Sequence, residues 1–81
     1  MYDYNICLEN SVEEFEKVCK RIEQAFPDVK KMNILEDVDG SLVQTYVKDG
    51  KEIDVHNDYE VGAIFIKSEM DIAFIMENLV A

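Results

Sequence analysis

Two Asp-Gly steps, at 39–40 and 49–50, divide the middle of this chain into three strand-like runs. An Asp-Gly pair between alternating apolar residues favours a two-residue type I′ turn, because both central residues of that turn need a positive φ. The spacing therefore predicts a three-stranded antiparallel meander over residues 29–56. The run VGAIFIK at 61–67 is the most apolar of all and predicts a further, central strand.

Elements before and after the meander follow from periodicity and capping. Residues 2–8 alternate between apolar and polar side chains, which predicts a first strand. Ser11 and Glu14 form a capping box ahead of an amphipathic pattern that ends before Pro27, so we expect a helix of about four turns there. A second box, Ser68 with Asp71, predicts a C-terminal helix whose inner face carries Ile72, Ile75, Met76 and Leu79.

The predicted order of elements is β-α-β-β-β-β-α. A chain of 81 residues has room for one core, so we expect a single domain over residues 1–81. Each helix has one apolar stripe to bury, and one side of the sheet can take both. The predicted fold class is α+β: a two-layer sandwich of an antiparallel five-stranded sheet with two helices on one face. This order is similar to that of the TATA-box-binding-protein-like fold, although the DNA-binding residues of that family do not carry over.

Strand alternation sorts the side chains between a helix-covered and an open face. Val43 and Val47 are expected on the covered face, and Leu35, Leu42, Tyr46 and Phe65 on the open face, among Glu52 and Asp54. A contiguous apolar group with a polar border often marks an interaction site. A register shift of one residue would exchange the two faces of any strand.

Charge is the most unusual part of the composition. The chain has 18 acidic and 8 basic residues, a formal net charge of −10. Residues 36–60 alone hold eight acids and two bases. Such a chain repels phosphates, which argues against nucleic acid or an anionic membrane as a direct partner. The acids either solvate turns and protect sheet edges, or steer the protein onto a basic partner.

Signals for catalysis and for metal binding are weak. Glu52, Asp54 and His56 alternate on one strand, and same-face residues about 6.5–7 Å apart are too widely spaced to ligate one ion unaided. The stretch Asp37–Gly40 lacks the spacing of a calcium loop, so a hairpin turn is favoured. No nucleophile has a supporting context and no glycine-rich phosphate loop is present. We therefore expect no enzyme activity, no metal and no cofactor.

Location and redox state follow from simple signals. The first residues show neither the basic region nor the apolar stretch of a signal peptide, and the cysteines, Cys7 and Cys19, are not in a CxxC motif. A cytoplasmic protein with two buried, reduced thiols is the expectation; a disulfide is the alternative, and nothing in the sequence supports it.

These patterns favour a small acidic, non-enzymatic protein-binding module. Its sharpest form is an inhibitor or immunity-type protein that docks a negative surface onto the basic, nucleic-acid-binding site of a nuclease or similar enzyme. In size and charge the chain looks like bacterial and phage-encoded inhibitors, including anti-CRISPR proteins and immunity proteins of nuclease toxins. The alternative is a structural or regulatory domain that dimerises through its open sheet face, and a small-molecule or enzyme domain would require a cavity between sheet and helices. The predicted partner-binding residues are Glu36, Asp37, Asp39, Tyr46, Asp49, Glu52, Asp54, Asp58, Glu60 and Phe65.

Overall fold

The computed structural model of the chain describes residues 1–76. Its elements, in chain order, are β1 (Tyr2–Cys7), α1 (Val12–Ala25), β2 (Lys30–Lys31), β3 (Leu35–Glu36), β4 (Leu42–Lys48), β5 (Lys51–Asp58), β6 (Ala63–Ser68) and α2 (Ala73–Met76). The strands form one antiparallel sheet in the order β1-β6-β5-β4-β2, with β3 also paired to β4. The predicted α+β class is confirmed, with β5 and β6 near the centre of the sheet.

The predicted strand over residues 29–38 is present as two short pieces along one edge. Lys31 pairs with Tyr46 and Leu35 pairs with Val43, so three residues, 32–34, lie opposite two residues of β4. An extra residue on one strand forces a bulge that bends it away from its partner. The side chain of Gln44 spans the bulge, where its Nε2 donates to the carbonyl of Met32 at 2.6 Å.

The two Asp-Gly steps make different turns. At 49–50 both residues have positive φ, 52° and 77°, as the predicted type I′ turn requires. At 39–40 only Gly40 has positive φ, and its N–H donates to the carbonyl of Asp37. Asp37 N–H in turn donates to the carbonyl of Ser41. The prediction of a type I′ turn is therefore wrong at the first step, where a three-residue loop uses glycine in its left-handed position.

Helix α1 begins and ends where its sequence predicts. The hydroxyl of Ser11 accepts a hydrogen bond from the N–H of Glu14 at 3.2 Å, and the helix ends at Ala25, two residues before Pro27. Four residues of its inner face are buried against the sheet: Phe15, Val18, Cys19 and Ile22.

Helix α2 begins later than predicted. Ser68 ends β6 instead of capping the helix, and its hydroxyl bonds to the backbone of Met70. Asp71 accepts from the N–H of Ala73 and from the hydroxyl of Tyr4, which ties the start of α2 to β1. Of the predicted inner face, Ile72, Ile75 and Met76 are buried, and Leu79 lies outside the described residues.

The main correction concerns the faces of β4. Tyr46 is fully buried and Gln44 nearly so, both beneath the helices, while Val43 and Val47 point to the other side. Both sets of alternate residues in LVQTYVK contain apolar side chains, so alternation alone did not decide the register. Burying the larger tyrosine ring removes more apolar surface from water than burying a valine, which favours the observed arrangement.

One buried polar contact closes the core at the end of β5. Asn57 is fully buried, and its Oδ1 accepts from Nδ2 of Asn10, in the loop before α1, at 2.8 Å. The same amide group of Asn10 donates to the carbonyl of Asp58 at 2.9 Å. This pair fixes the loop before α1 against the end of the sheet.

Candidate protein-interaction surface

Five of the predicted site residues meet at one end of the sheet. The loop between β3 and β4 and the turn between β5 and β6 lie side by side because β4 and β5 are antiparallel neighbours. Their side chains surround a shallow depression of about 320 Å³ whose other lining residues are Leu35, Ser41 and Val43. We call this group the acidic end, and its members are Glu36, Asp37, Asp39, Asp58 and Glu60.

Local hydrogen bonds hold the acidic end in place. One carboxylate oxygen of Asp39 accepts from the N–H of Ser41 at 2.9 Å, and this contact holds the pKa of Asp39 below its usual range. Asp58 accepts from the N–H groups of Glu60 and Val61. The Ser41 hydroxyl accepts from the N–H of Tyr59, which links the two turns. The carboxylates of Asp39 and Asp58 therefore stabilise the turns to which they belong.

The other predicted acids are not part of this group. Asp49 lies in the turn at the opposite end of β4, where it forms an ion pair with Lys48 at 3.8 Å. Glu52 is near that same turn, and its backbone N–H donates to the side-chain carboxylate of Glu69 at 2.7 Å. Asp54 lies midway along β5. The predicted acidic surface is thus one compact group with three separate outliers.

Tyr46 is excluded from any docking surface. Its hydroxyl donates to the carboxylate of Glu23 on α1, and burial raises its pKa far above the usual range. The prediction that it anchors a partner on the open face is wrong, because the register of β4 turns it into the core.

Within residues 1–76, both helices lie on the other side of the sheet from the face that we call the uncovered face. This face carries a continuous row of β5 side chains. Its members from the three central strands are Val43, Thr45, Val47, Glu52, Asp54, His56, Asp58, Ala63, Phe65 and Lys67. Phe65 is on this face, where its ring stacks on that of His56 with centroids 4.7 Å apart and planes 8° from parallel. Burial lowers the pKa of His56, although the nearby carboxylate of Asp54 acts the other way. The ring is therefore mostly neutral at pH 7.

A cleft that the sequence did not indicate lies on the helix side of the sheet. It has a volume of about 770 Å³ and separates α1 from the bulged edge. Phe15 and Gln44 are buried at the bottom of the cleft, while Met32 and Ile34 are exposed at its edge. The bulged residues 32–34 line this space, and a volume of that size is in the range of small-molecule sites.

Neither cysteine is in a disulfide. Cys19 is buried, and burial raises its pKa to about 11, which makes the thiol a poor nucleophile. Cys7 is partly exposed and donates to the carbonyl of Glu9. Over residues 1–76, no group of three or more His, Cys, Asp or Glu side chains is arranged to hold a metal ion. None of the helices in that range is long and apolar enough to cross a membrane.

No protein-family model, curated protein or solved structure matches this chain.

Proposed function

We propose that this protein is a non-enzymatic binding module whose acidic end docks onto a basic site of a partner protein, of the kind that otherwise binds nucleic acid. The observation that carries the proposal is the convergence of five carboxylates, from two turns and the strand ends beside them, around one depression with no basic side chain in its lining. Carboxylates grouped in this way stand where the phosphates of a nucleic acid would lie on the partner.

Electrostatics supports a role in recognition. Like charges focused at one end of a small protein attract a basic surface and raise the rate of association by one to three orders of magnitude at low salt. The uncovered face continues from the acidic end along β5 and provides the additional area that a stable complex needs. A partner would then contact the depression, Phe65 and the β5 row together.

Displacement of proteins from DNA tests this function. Immobilised duplex DNA is loaded with nucleic-acid-binding proteins of the source cell, and the protein is added at low salt. We expect the wild type to release a specific protein from the DNA. A triple variant of the acidic end, Glu36→Gln/Asp39→Asn/Glu60→Gln, should lose this ability.

A matched triple variant provides the control. Glu9→Gln/Glu13→Gln/Glu16→Gln removes the same number of charges from exposed residues in and before α1, none of which lines the depression at the acidic end. It should release the partner as the wild type does. If both triple variants lose the ability to release the partner equally, the effect is one of general charge. If the wild type releases no protein from the DNA, the proposed function is wrong.

Self-association through the uncovered face remains the alternative. Tyr46 cannot test it, since a charge there would disrupt the core. Phe65→Asp places the charge on the uncovered face instead, and sedimentation at micromolar concentration would show whether a dimer exists and whether that variant dissociates it.

A further inference from the structure

The cleft between α1 and the bulged edge of the sheet has the size and the apolar lining of a small-molecule site. Its volume is about 770 Å³, within the range of about 300–1,000 Å³ that is usual for ligand pockets. Phe15 and Leu42 line it from the helix and the sheet, and Met32 and Ile34 from the bulged segment. Met32 and Ile34 are 40% and 48% exposed, so a ligand in the cleft would remove apolar surface from water.

Gln44 provides the cleft with one free hydrogen-bond acceptor. Its side chain is only 3% exposed, and its Nε2 donates to the carbonyls of Met32 and Thr45, which fixes the orientation of the amide. Oε1 accepts no hydrogen bond from residues 1–76, and it is not one of the polar atoms in that range that are shielded from solvent. A donor therefore reaches this oxygen through the cleft, which Gln44 lines. A ligand that covered the oxygen without donating to it would leave a buried acceptor unpaired, which is unfavourable.

The charged side chains around the cleft balance one another. Within the described part of the chain they are Glu16, Lys20, Glu23 and Lys31. Glu23 is already bonded to Lys31 and to the hydroxyl of Tyr46. The lining therefore has no net charge on a chain of net charge −10, in contrast to the acidic end. Such a lining favours a neutral ligand over a cation or an anion.

We propose that this cleft binds a small neutral aromatic molecule with a single N–H or O–H donor, the chemistry that indoles and phenols share. The donor bonds to Oε1 of Gln44, and the ring system contacts the apolar lining. Phe15 and Met32 favour an aromatic ligand over an aliphatic one, because aromatic rings and thioether sulfurs both make favourable contacts with aromatic groups. The site goes beyond the proposed docking function and does not depend on it.

Indole and 1-methylindole form a matched pair of probes, because the methyl group removes the N–H donor and keeps the ring system. The protein contains no tryptophan, so indole fluorescence excited beyond the absorption of tyrosine reports on the ligand alone. We expect indole to bind, and 1-methylindole to bind at least about threefold more weakly because one hydrogen bond is lost. The side-chain amide proton signals of Gln44 should shift when indole is added.

Two aspartate variants show whether the ligand occupies the cleft. Ile34→Asp places a charge in the apolar lining at an exposed residue, so we expect it to weaken indole binding at least about fivefold without disturbing the core. Val38→Asp is the control, since Val38 lies in the same segment, is fully exposed and does not line the cleft. Its affinity should stay within about twofold of the wild type. Well-dispersed amide spectra establish that each variant is folded.

Three results would overturn the aromatic-ligand site. These are no binding of indole, equal affinities for indole and 1-methylindole, and equal affinities of Ile34→Asp and Val38→Asp for indole. Docking by the acidic end is measured separately, by the displacement of proteins from DNA, so either proposal can fail while the other stands.

Discussion

The hydroxyl of Tyr46, in the middle of the sheet, donates a hydrogen bond to the carboxylate of Glu23 on the helix above it. Glu23 also pairs with Lys31 of the edge strand at 3.1 Å. One carboxylate thus joins the helix, the sheet centre and the bulged edge. The Tyr46 contact is the main reason why the pKa of Glu23 lies below its usual range, with Lys31 adding to the effect.

Removing this hydroxyl should destabilise the fold. We expect Tyr46→Phe to lower the free energy of unfolding by about 1–2 kcal/mol, because Glu23 is partly exposed and water replaces some of the lost contact. Denaturant unfolding at pH 7 measures the loss. Tyr2→Phe is the control, since the hydroxyl of Tyr2 makes no hydrogen bond in the described chain and its removal should change little.

The same contact gives a pH dependence with a definite sign. A carboxyl whose folded pKa is lowered stabilises the fold above its unfolded pKa, and that stabilisation is lost as pH falls through the folded value. The stability difference between wild type and Tyr46→Phe should therefore narrow below about pH 4.5. A constant difference from pH 7 to pH 3 would contradict the assignment of Glu23.

The Asn10–Asn57 contact should also be costly to lose. Asn10→Ala leaves Oδ1 of the fully buried Asn57 without its donor, for which we expect a loss of about 1–3 kcal/mol in unfolding free energy. Asn33→Ala removes an exposed amide and should cost less than about 0.5 kcal/mol. Thermal or denaturant unfolding measures the loss of stability in each variant. Similar losses for Asn10→Ala and Asn33→Ala would show that the buried amide pair contributes nothing specific.

Gly50 should be required for the β4–β5 turn. Its φ of 77° is unfavourable for side chains, yet nothing lies within 4 Å of where a Cβ would be placed. Gly50→Ala should therefore cost about 1–2 kcal/mol through backbone conformation alone, and Gly50→Asn distinctly less, because asparagine tolerates this conformation. Equal stability of the two variants would mean that the turn relaxes to another type.

His56 should make the protein less stable in mild acid. Its folded pKa is lowered by burial, so between the folded and unfolded values the unfolded chain binds more protons and stability falls as pH decreases through about 6.5. Asp54 and Asp58 oppose the shift and Lys67 assists it. We expect the unfolding midpoint of the wild type to be lower at pH 5.5 than at pH 7.5. The decrease between these two pH values should be smaller in His56→Gln. The same pH dependence of the midpoint in the wild type and in His56→Gln would contradict the lowered pKa of His56.

The order of elements could be predicted because each signal was local. Three features depend on short stretches of chain and are present as expected: the Ser11 cap, the end of α1 before Pro27 and the Asp49-Gly50 turn. The face of β4 could not be predicted in this way, since a tyrosine among valines alternates equally well in either register. What decided it was the fit of Tyr46 beneath α1, a long-range contact.

Part of the candidate site could also be predicted, because the order of the strands decides which turns lie at the same end of the sheet. An antiparallel meander places its alternate turns at the same end, so the meeting of Asp39 with Asp58 follows from the predicted topology. The separation of Asp49 from them follows equally, since the turn at 49–50 joins the opposite ends of β4 and β5. The cleft beside α1 is lined by the bulged residues 32–34, and the sequence has no short-range signal for that bulge.

The affinity of the protein displaced from DNA, measured by titration at several salt concentrations, tests acidic docking most directly. The wild type and the two triple variants are compared with that same partner. We expect Glu36→Gln/Asp39→Asn/Glu60→Gln to weaken binding at least about tenfold at low salt and to flatten its salt dependence. The α1 triple should remain within about threefold of the wild type, as for exposed charges outside a contact. Equal affinities and equal salt slopes for the two triples would contradict the account.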